Sequence, residues 1–101
     1  MRRDDVIRIL QQHRDELTRD FGVKSLALFG SVARDEGGDA SDVDLLVEFD
    51  GRPISLFHLG GLHHELSQML HAERLDLVLR ESIIPPLRDR ILGEAINVVG
   101  A

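Results

Sequence analysis

Apolar residues recur along this chain with two periods, one typical of helices and one typical of strands. Over residues 3–21 they fall three, four and seven positions apart, which predicts an amphipathic helix that ends at Gly22. A short apolar run at 23–29 predicts a buried strand. The composition then predicts a short helix over 31–36 and a loop over 37–41.

The second half of the chain shows the same two periods. Residues 42–49 and 74–79 are rich in strand-forming side chains and predict a second and a third strand. Between them, apolar residues at helical spacing predict a helix whose reliable part begins near Leu62, because two consecutive glycines weaken its start. Pro86 is typical of the first turn of a last helix, which we expect to reach about residue 95.

The order of these elements limits the architecture. The helix between the second and third strands permits a parallel crossover, whereas the short connection between the first and second strands leaves their relative direction open. We expect an α/β (α+β) fold, a small β-sheet whose helices most economically cover one face. A length of 101 residues suits one domain spanning positions 1–101.

Composition and charge argue against several classes of function. The formal net charge of −6 disfavours direct binding to nucleic acid, because an acidic surface repels a phosphate backbone. The chain has no Cys, which fits a cytoplasmic protein and leaves no thiolate metal site. No apolar stretch approaches the roughly 20 residues that span a bilayer, and the charged N-terminal segment does not resemble a secretory signal, so we expect no membrane association.

Three aspartates interrupt the apolar strand segments. Asp42 and Asp44 lie two positions apart in a strand, so their side chains share one face. Two adjacent carboxylates repel unless a cation compensates them, and Mg²⁺ or Mn²⁺ prefers such oxygen ligands. If the third strand neighbours the second, Asp76 can join them. Three such acids can hold two ions roughly 3.5–4 Å apart, an arrangement used for in-line phosphoryl displacement.

A glycine and a serine stand where the first strand meets the short helix. Gly30 allows close backbone approach, and a glycine turn at a helix start offers backbone N–H groups to phosphate oxygens. The Ser31 hydroxyl can also donate to a phosphate. Arg34, one helical turn later, can neutralise phosphate charge or pair with an acid. Taken alone, the Gly–Ser pair is more typical of an ordinary turn with a helix cap than of a phosphate site.

The aspartates also have purely structural interpretations. Asp42 and Asp44 alone are compatible with strand-end carboxylates that face solvent. Asp76 alone is compatible with an ion pair to Arg74 or Arg80. The sequence combines a Gly–Ser turn, an Asp-x-Asp strand and a later strand aspartate. This combination favours a metal and phosphate site over the structural interpretation of each residue alone.

Together these segments resemble the polymerase-beta-like nucleotidyltransferase superfamily, and most closely its minimal nucleotidyltransferases. The resemblance covers about residues 5 to 95 and rests on Gly30-Ser31-x-x-Arg34, Ser41-Asp42-x-Asp44-Leu45 and Asp76. It implies a mixed sheet with flanking helices, catalytic and metal-binding roles for the three aspartates, and nucleotide phosphates held at Gly30 and Ser31. Asp35 stands where the commonest pattern has glycine, and it adds negative charge near the phosphate site.

The resemblance also implies a function. Members of the superfamily transfer a nucleoside monophosphate from a nucleoside triphosphate to a hydroxyl, and minimal nucleotidyltransferases are commonly antitoxins paired with a HEPN-domain ribonuclease toxin. We therefore expect a hetero-oligomeric antitoxin that uses Mg²⁺ or Mn²⁺ to transfer AMP from ATP to a toxin hydroxyl, with Tyr as the expected acceptor. Two alternatives stay open: an antitoxin that neutralises its toxin by binding alone, and a transferase acting on a small molecule.

Overall fold

The computed structural model describes residues 2–34, 42–51 and 54–100. Part of the predicted short helix and the whole predicted loop at 37–41 lie outside these ranges. Within them the elements follow one another along the chain as α1 (Arg3–Gln12), α2 (Arg14–Phe21), β1 (Val23–Phe29), α3 (Gly30–Ala33), β2 (Asp42–Phe49), α4 (Leu56–Leu70), β3 (Arg74–Leu79), a 3₁₀ turn (Arg80–Ser82), α5 (Pro85–Glu94) and β4 (Ile96–Val99).

The strands form one mixed sheet in the order β3-β2-β1-β4. Strands β2 and β3 are parallel, and α4 provides the crossover between them, as the element order permitted. Strand β1 runs antiparallel to both β2 and β4, which settles the direction that the sequence left open. The predicted fold class, a small mixed sheet with flanking helices, is confirmed.

Helices cover both faces of the sheet, whereas the sequence led us to expect them on one face. The large core lies between one face and helices α1, α2 and α4. On the opposite face Ala27 and Leu46 point toward α5, whose Ile91 and Leu92 pack against the same small cluster. The second layer forms because β1 and β2 carry apolar residues at consecutive positions, so both of their faces need cover.

Two helices differ from their predicted bounds for local reasons. The helix expected over 3–21 is divided at His13, whose ring Nδ1 lies 2.9 Å from the carbonyl oxygen of Ile9. Helix α4 begins six residues before Leu62, because the Ser55 side chain accepts a hydrogen bond of 3.1 Å from the backbone N–H of His58. That cap compensates for the glycines in the first turns of the helix.

None of the helices that the structure describes is long and apolar enough to cross a membrane.

Candidate active site

The parallel pairing of β2 with β3 brings two of the predicted site residues together. Asp44 is the register partner of Asp76, and Asp42 is the register partner of Arg74. Because β2 turns Val43 and Leu45 into the large core, the aspartates between and beside them project from the opposite face. Asp44 is half-buried there, while Asp42 and Asp76 are exposed.

The electrostatics at Asp44 are those of a crowded acidic site. Burial raises the pKa of Asp44 above its ordinary value, and a hydrogen bond with Asp76 raises it further. The negative charges of Asp76 and Asp42 act in the same direction, while the positive charge of Arg34 opposes them. The other two predicted carboxylates thus act on Asp44, and a cation would relieve the cost of their proximity to it.

Gly30 lies directly against this acid. It follows Phe29, the register partner of Asp44 in β1, and takes a φ of +78°, which favours glycine. A Cβ placed at Gly30 would collide with Oδ2 of Asp44 and would lie 3.0 Å from its Cγ. Only glycine therefore lets the start of α3 approach the carboxylate this closely, and Ser31 follows in the first turn of that helix.

Arg34 ends α3, with its backbone N–H donating to the carbonyl oxygen of Gly30 at 3.2 Å. Its side chain reaches across to α5, where Nη1 donates to Oε2 of Glu94 at 3.0 Å. Glu94 was absent from our sequence-based set of site residues. The two partners are 60 positions apart in the chain, so no local pattern links them.

The donor set fits a divalent cation that is shared with a substrate. Across residues 2–34, 42–51 and 54–100, no three His, Cys, Asp or Glu side chains meet closely enough to hold an ion by themselves. Mg²⁺ commonly takes one or two carboxylates together with substrate phosphates, and the Asp44–Asp76 pair supplies such carboxylates. Ser41 and Asp35, named in the motif, lie outside the described residues.

Comparison with known sequences identifies the family of the chain. A family model described as nucleotidyltransferase domain matches residues 10–98. A candidate protein adenylyltransferase of Methanocaldococcus jannaschii is 47% identical over 78 residues, which cover 77% of this chain and 82% of that protein. The protein adenylyltransferase MntA of Thermococcus cleftensis is 36% identical over 95 residues, or 94% of each chain.

Solved structures show the same fold. A candidate minimal nucleotidyltransferase superposes with a TM-score of 0.74 at 35% identity, covering 95% of both chains. A toxin–antitoxin chain solved with AMP-PNP gives 0.70 at 22% identity, covering 90% of this chain and 73% of that one.

A complex of the tri-AMPylated Shewanella oneidensis HEPN toxin with its MNT antitoxin gives a TM-score of 0.64 at 20% identity, covering 94% of this chain and 73% of that one. The likenesses at 22% and 20% identity concern the fold alone. The match over residues 10–98, together with the two sequence relatives, confirms the resemblance found in the motifs. The chain belongs to the nucleotidyltransferase domain family and is an enzyme of that class.

Proposed function

We propose that this chain is the antitoxin of a toxin–antitoxin pair and that it transfers AMP from ATP to a tyrosine hydroxyl of a HEPN-domain toxin. The observation that carries the proposal is the register pairing of Asp44 with Asp76 beside Gly30. That arrangement combines a cation-binding pair of carboxylates with a helix start that a phosphate chain can approach. The need for ATP fits a cytoplasmic location.

The comparisons support the choice of acceptor and donor. The Thermococcus cleftensis relative is named a protein adenylyltransferase, which indicates a protein acceptor. The Shewanella oneidensis complex contains an AMPylated HEPN toxin, and another toxin–antitoxin structure contains AMP-PNP, an ATP analogue. Transfer to this chain's own partner would make the working assembly a hetero-oligomer.

Each site residue has a part in the proposed reaction. Asp42, Asp44 and Asp76 would hold Mg²⁺ or Mn²⁺ together with the nucleotide phosphates, and the bound ion would supply charge neutralisation and a lowered hydroxyl pKa. The N–H groups at the start of α3 and the Ser31 hydroxyl would bind phosphate oxygens. Arg34 lies at the end of the same short helix, where its charge offsets that of the triphosphate.

The transfer itself is an in-line displacement at the α-phosphorus of ATP. The acceptor oxygen forms a bond to that phosphorus as the bond to the pyrophosphate oxygen breaks, and pyrophosphate leaves. Asp76, the more exposed member of the acidic pair, would accept the proton of the attacking hydroxyl. Most of the rate enhancement would come from positioning and charge stabilisation.

The test is label transfer from α-labelled ATP to the partner toxin in the presence of Mg²⁺. Wild-type protein is expected to label the toxin, and peptide mass spectrometry is expected to place AMP on tyrosine. Asp44→Asn is expected to abolish labelling, while Asp89→Asn, at an exposed position of α5, is expected to leave it intact. An unlabelled toxin that wild-type protein still binds and silences would replace this proposal with an antitoxin that acts by binding alone.

A further inference from the structure

An ion pair ties α3, the helix of the phosphate site, to α5, which covers the second face of the sheet. Arg34 Nη1 lies 3.0 Å from Glu94 Oε2, and the two side chains are 40% and 29% exposed. The other oxygen of Glu94 lies 3.9 Å from Nε of Arg90, whose side chain is 75% exposed. Glu94 therefore forms ion pairs with two arginines, of which Arg34 is the nearer and the less exposed.

Arg34 also stands within electrostatic reach of the acidic pair. Its positive charge acts on the carboxylate of Asp44 and favours the ionised form. The Arg34 guanidinium therefore has two alternative sets of hydrogen-bond acceptors: the Glu94 carboxylate, and the carboxylates of Asp44 and Asp76. Were it to bind the acidic pair, its N–H groups would occupy the oxygens that a divalent cation needs.

We propose that Glu94 is a positioning residue that holds Arg34 on the α5 side of the site and so keeps Asp44 and Asp76 open to a divalent cation. This inference rests on the proposed function, since it assigns a role within the same site. Glu94 itself touches neither the acidic pair nor the start of α3 in any hydrogen bond or ion pair recorded for the described residues. Its effect on the cation is exerted through Arg34.

The size of the expected effect follows from the exposure of the pair. Ion pairs that are a third or more exposed contribute modestly, because water screens them and ordering two long side chains costs entropy. Loss of Glu94 should therefore weaken cation binding by about three- to fivefold rather than abolish it. Glu94→Gln keeps the shape of the side chain and a carbonyl acceptor, so the fold is expected to be retained.

The experiment measures binding of Mn²⁺ alone, without nucleotide, from the electron paramagnetic resonance signal of the free ion. Glu94→Gln is expected to raise the Mn²⁺ dissociation constant about three- to fivefold. Arg90→Gln, which removes the other arginine at Glu94, is the matched control and is expected to bind Mn²⁺ like the wild type. Thermal unfolding of all variants in EDTA shows whether any of them is misfolded.

A double variant distinguishes the role of Arg34 from the mere loss of a negative charge near the site. If Glu94 acts through Arg34, adding Glu94→Gln to Arg34→Gln changes nothing, because no guanidinium remains to turn toward the carboxylates. If Glu94 only adds negative potential, the same substitution weakens Mn²⁺ binding in both backgrounds, and the inference is overturned.

The remaining outcomes separate this inference from the proposed function. Wild-type protein that labels its toxin and binds Mn²⁺ no better than Glu94→Gln would overturn the inference alone. Wild-type protein that binds no Mn²⁺ without nucleotide would also overturn the inference alone, because the proposed function needs the cation only together with the nucleotide phosphates. A toxin left unlabelled would overturn the proposed function. Equal weakening by Glu94→Gln and Arg90→Gln would show that Glu94 acts through α5 as a whole, and this too would contradict a role through Arg34.

Discussion

Asp44 and Asp76 occupy paired positions of two parallel strands, and the proximity of Asp76 raises the pKa of the Asp44 carboxyl group. The pairing of β2 with β3 thus places two carboxyl groups side by side. The pKa of the half-buried one, Asp44, is raised, so burial and its neighbour favour its protonated form. In the absence of a cation the acidic site opposes folding at neutral pH. The site therefore links the stability of the protein to both pH and divalent cations.

Asp44→Asn is expected to stabilise the protein in EDTA at pH 7 to 8. The native pKa of Asp44 is raised above its value in the unfolded chain, so the native state binds the proton more tightly. The carboxyl group therefore costs no stability below its ordinary pKa of about 3.9, and its full cost appears above the raised native pKa. The stability gained by Asp44→Asn should grow with pH across that interval.

The measurement is the midpoint of thermal unfolding for wild type and Asp44→Asn at a series of pH values from 4 to 8. Asp89→Asn removes a negative charge from an exposed helix position and serves as the control. A gain from Asp44→Asn that is constant across the series would show that burial and repulsion at this carboxylate do not limit stability.

Divalent cations should reverse the order of thermal stability of the wild type and Asp44→Asn. A ligand that binds only the native state stabilises it by about 2.7 kcal/mol at a concentration of 100 times its dissociation constant. Mn²⁺ or Mg²⁺ should therefore raise the unfolding midpoint of the wild type and leave that of Asp44→Asn nearly unchanged. Differential scanning fluorimetry in Ca²⁺-free buffer with increasing Mn²⁺ or Mg²⁺ would measure the unfolding midpoints. Equal shifts in both proteins would show that the cation binds at a site that does not include Asp44.

The two strands that carry the acids could be predicted to the residue, because both segments are rich in strand-forming side chains. The intervening helix permitted their parallel pairing but did not require the two strands to be neighbours. Strand β4 could not be predicted from its four residues, because it is defined by pairing with β1 at the edge of the sheet. The contact between Arg34 and Glu94 could not be predicted from the sequence either, because it depends on how α5 packs over the second face of the sheet.

Gly30→Ala is expected to abolish nucleotidyl transfer and to destabilise the fold. The new Cβ would collide with Oδ2 of Asp44, and the φ of +78° would strain any residue with a side chain. We expect a loss of roughly 1–3 kcal/mol in the free energy of unfolding, measured by urea titration. Transfer activity is checked under conditions in which the variant remains folded.

Gly60→Ala is the matched control for Gly30→Ala. Gly60 lies inside α4, and nothing lies within 4 Å of a Cβ placed there. Alanine at that position should stabilise the protein by about 0.5–1 kcal/mol, because glycine is a poor helix former. If the substitutions at Gly30 and Gly60 had the same effect on stability, the close approach of Gly30 to Asp44 would not matter energetically.

His71→Gly is expected to increase the free energy of unfolding by about 0.5–1 kcal/mol. His71 follows the last turn of α4 with a φ of 51°, a left-handed conformation in which a Cβ is unfavourable. The same substitution at the exposed His64, inside α4, should instead cost roughly 0.3–0.5 kcal/mol, because glycine is a poorer helix former than histidine. Chemical denaturation of both variants checks the opposite signs, and a loss of stability at His71 would indicate that its side chain contributes a contact.

Leu66→Ala and Leu56→Ala make the same chemical change in one helix, α4, at positions of opposite exposure. Leu66 is 0% exposed in the large core, whereas Leu56 is 87% exposed. Removing the buried side chain loses transfer free energy and leaves a cavity, so Leu66→Ala should cost about 2–5 kcal/mol of unfolding free energy. Leu56→Ala should change it by less than about 0.5 kcal/mol, because that side chain is already in water. Urea titration measures both, and a large loss at Leu56 would mean that its side chain is covered in solution, as it would be in a self-associated protein.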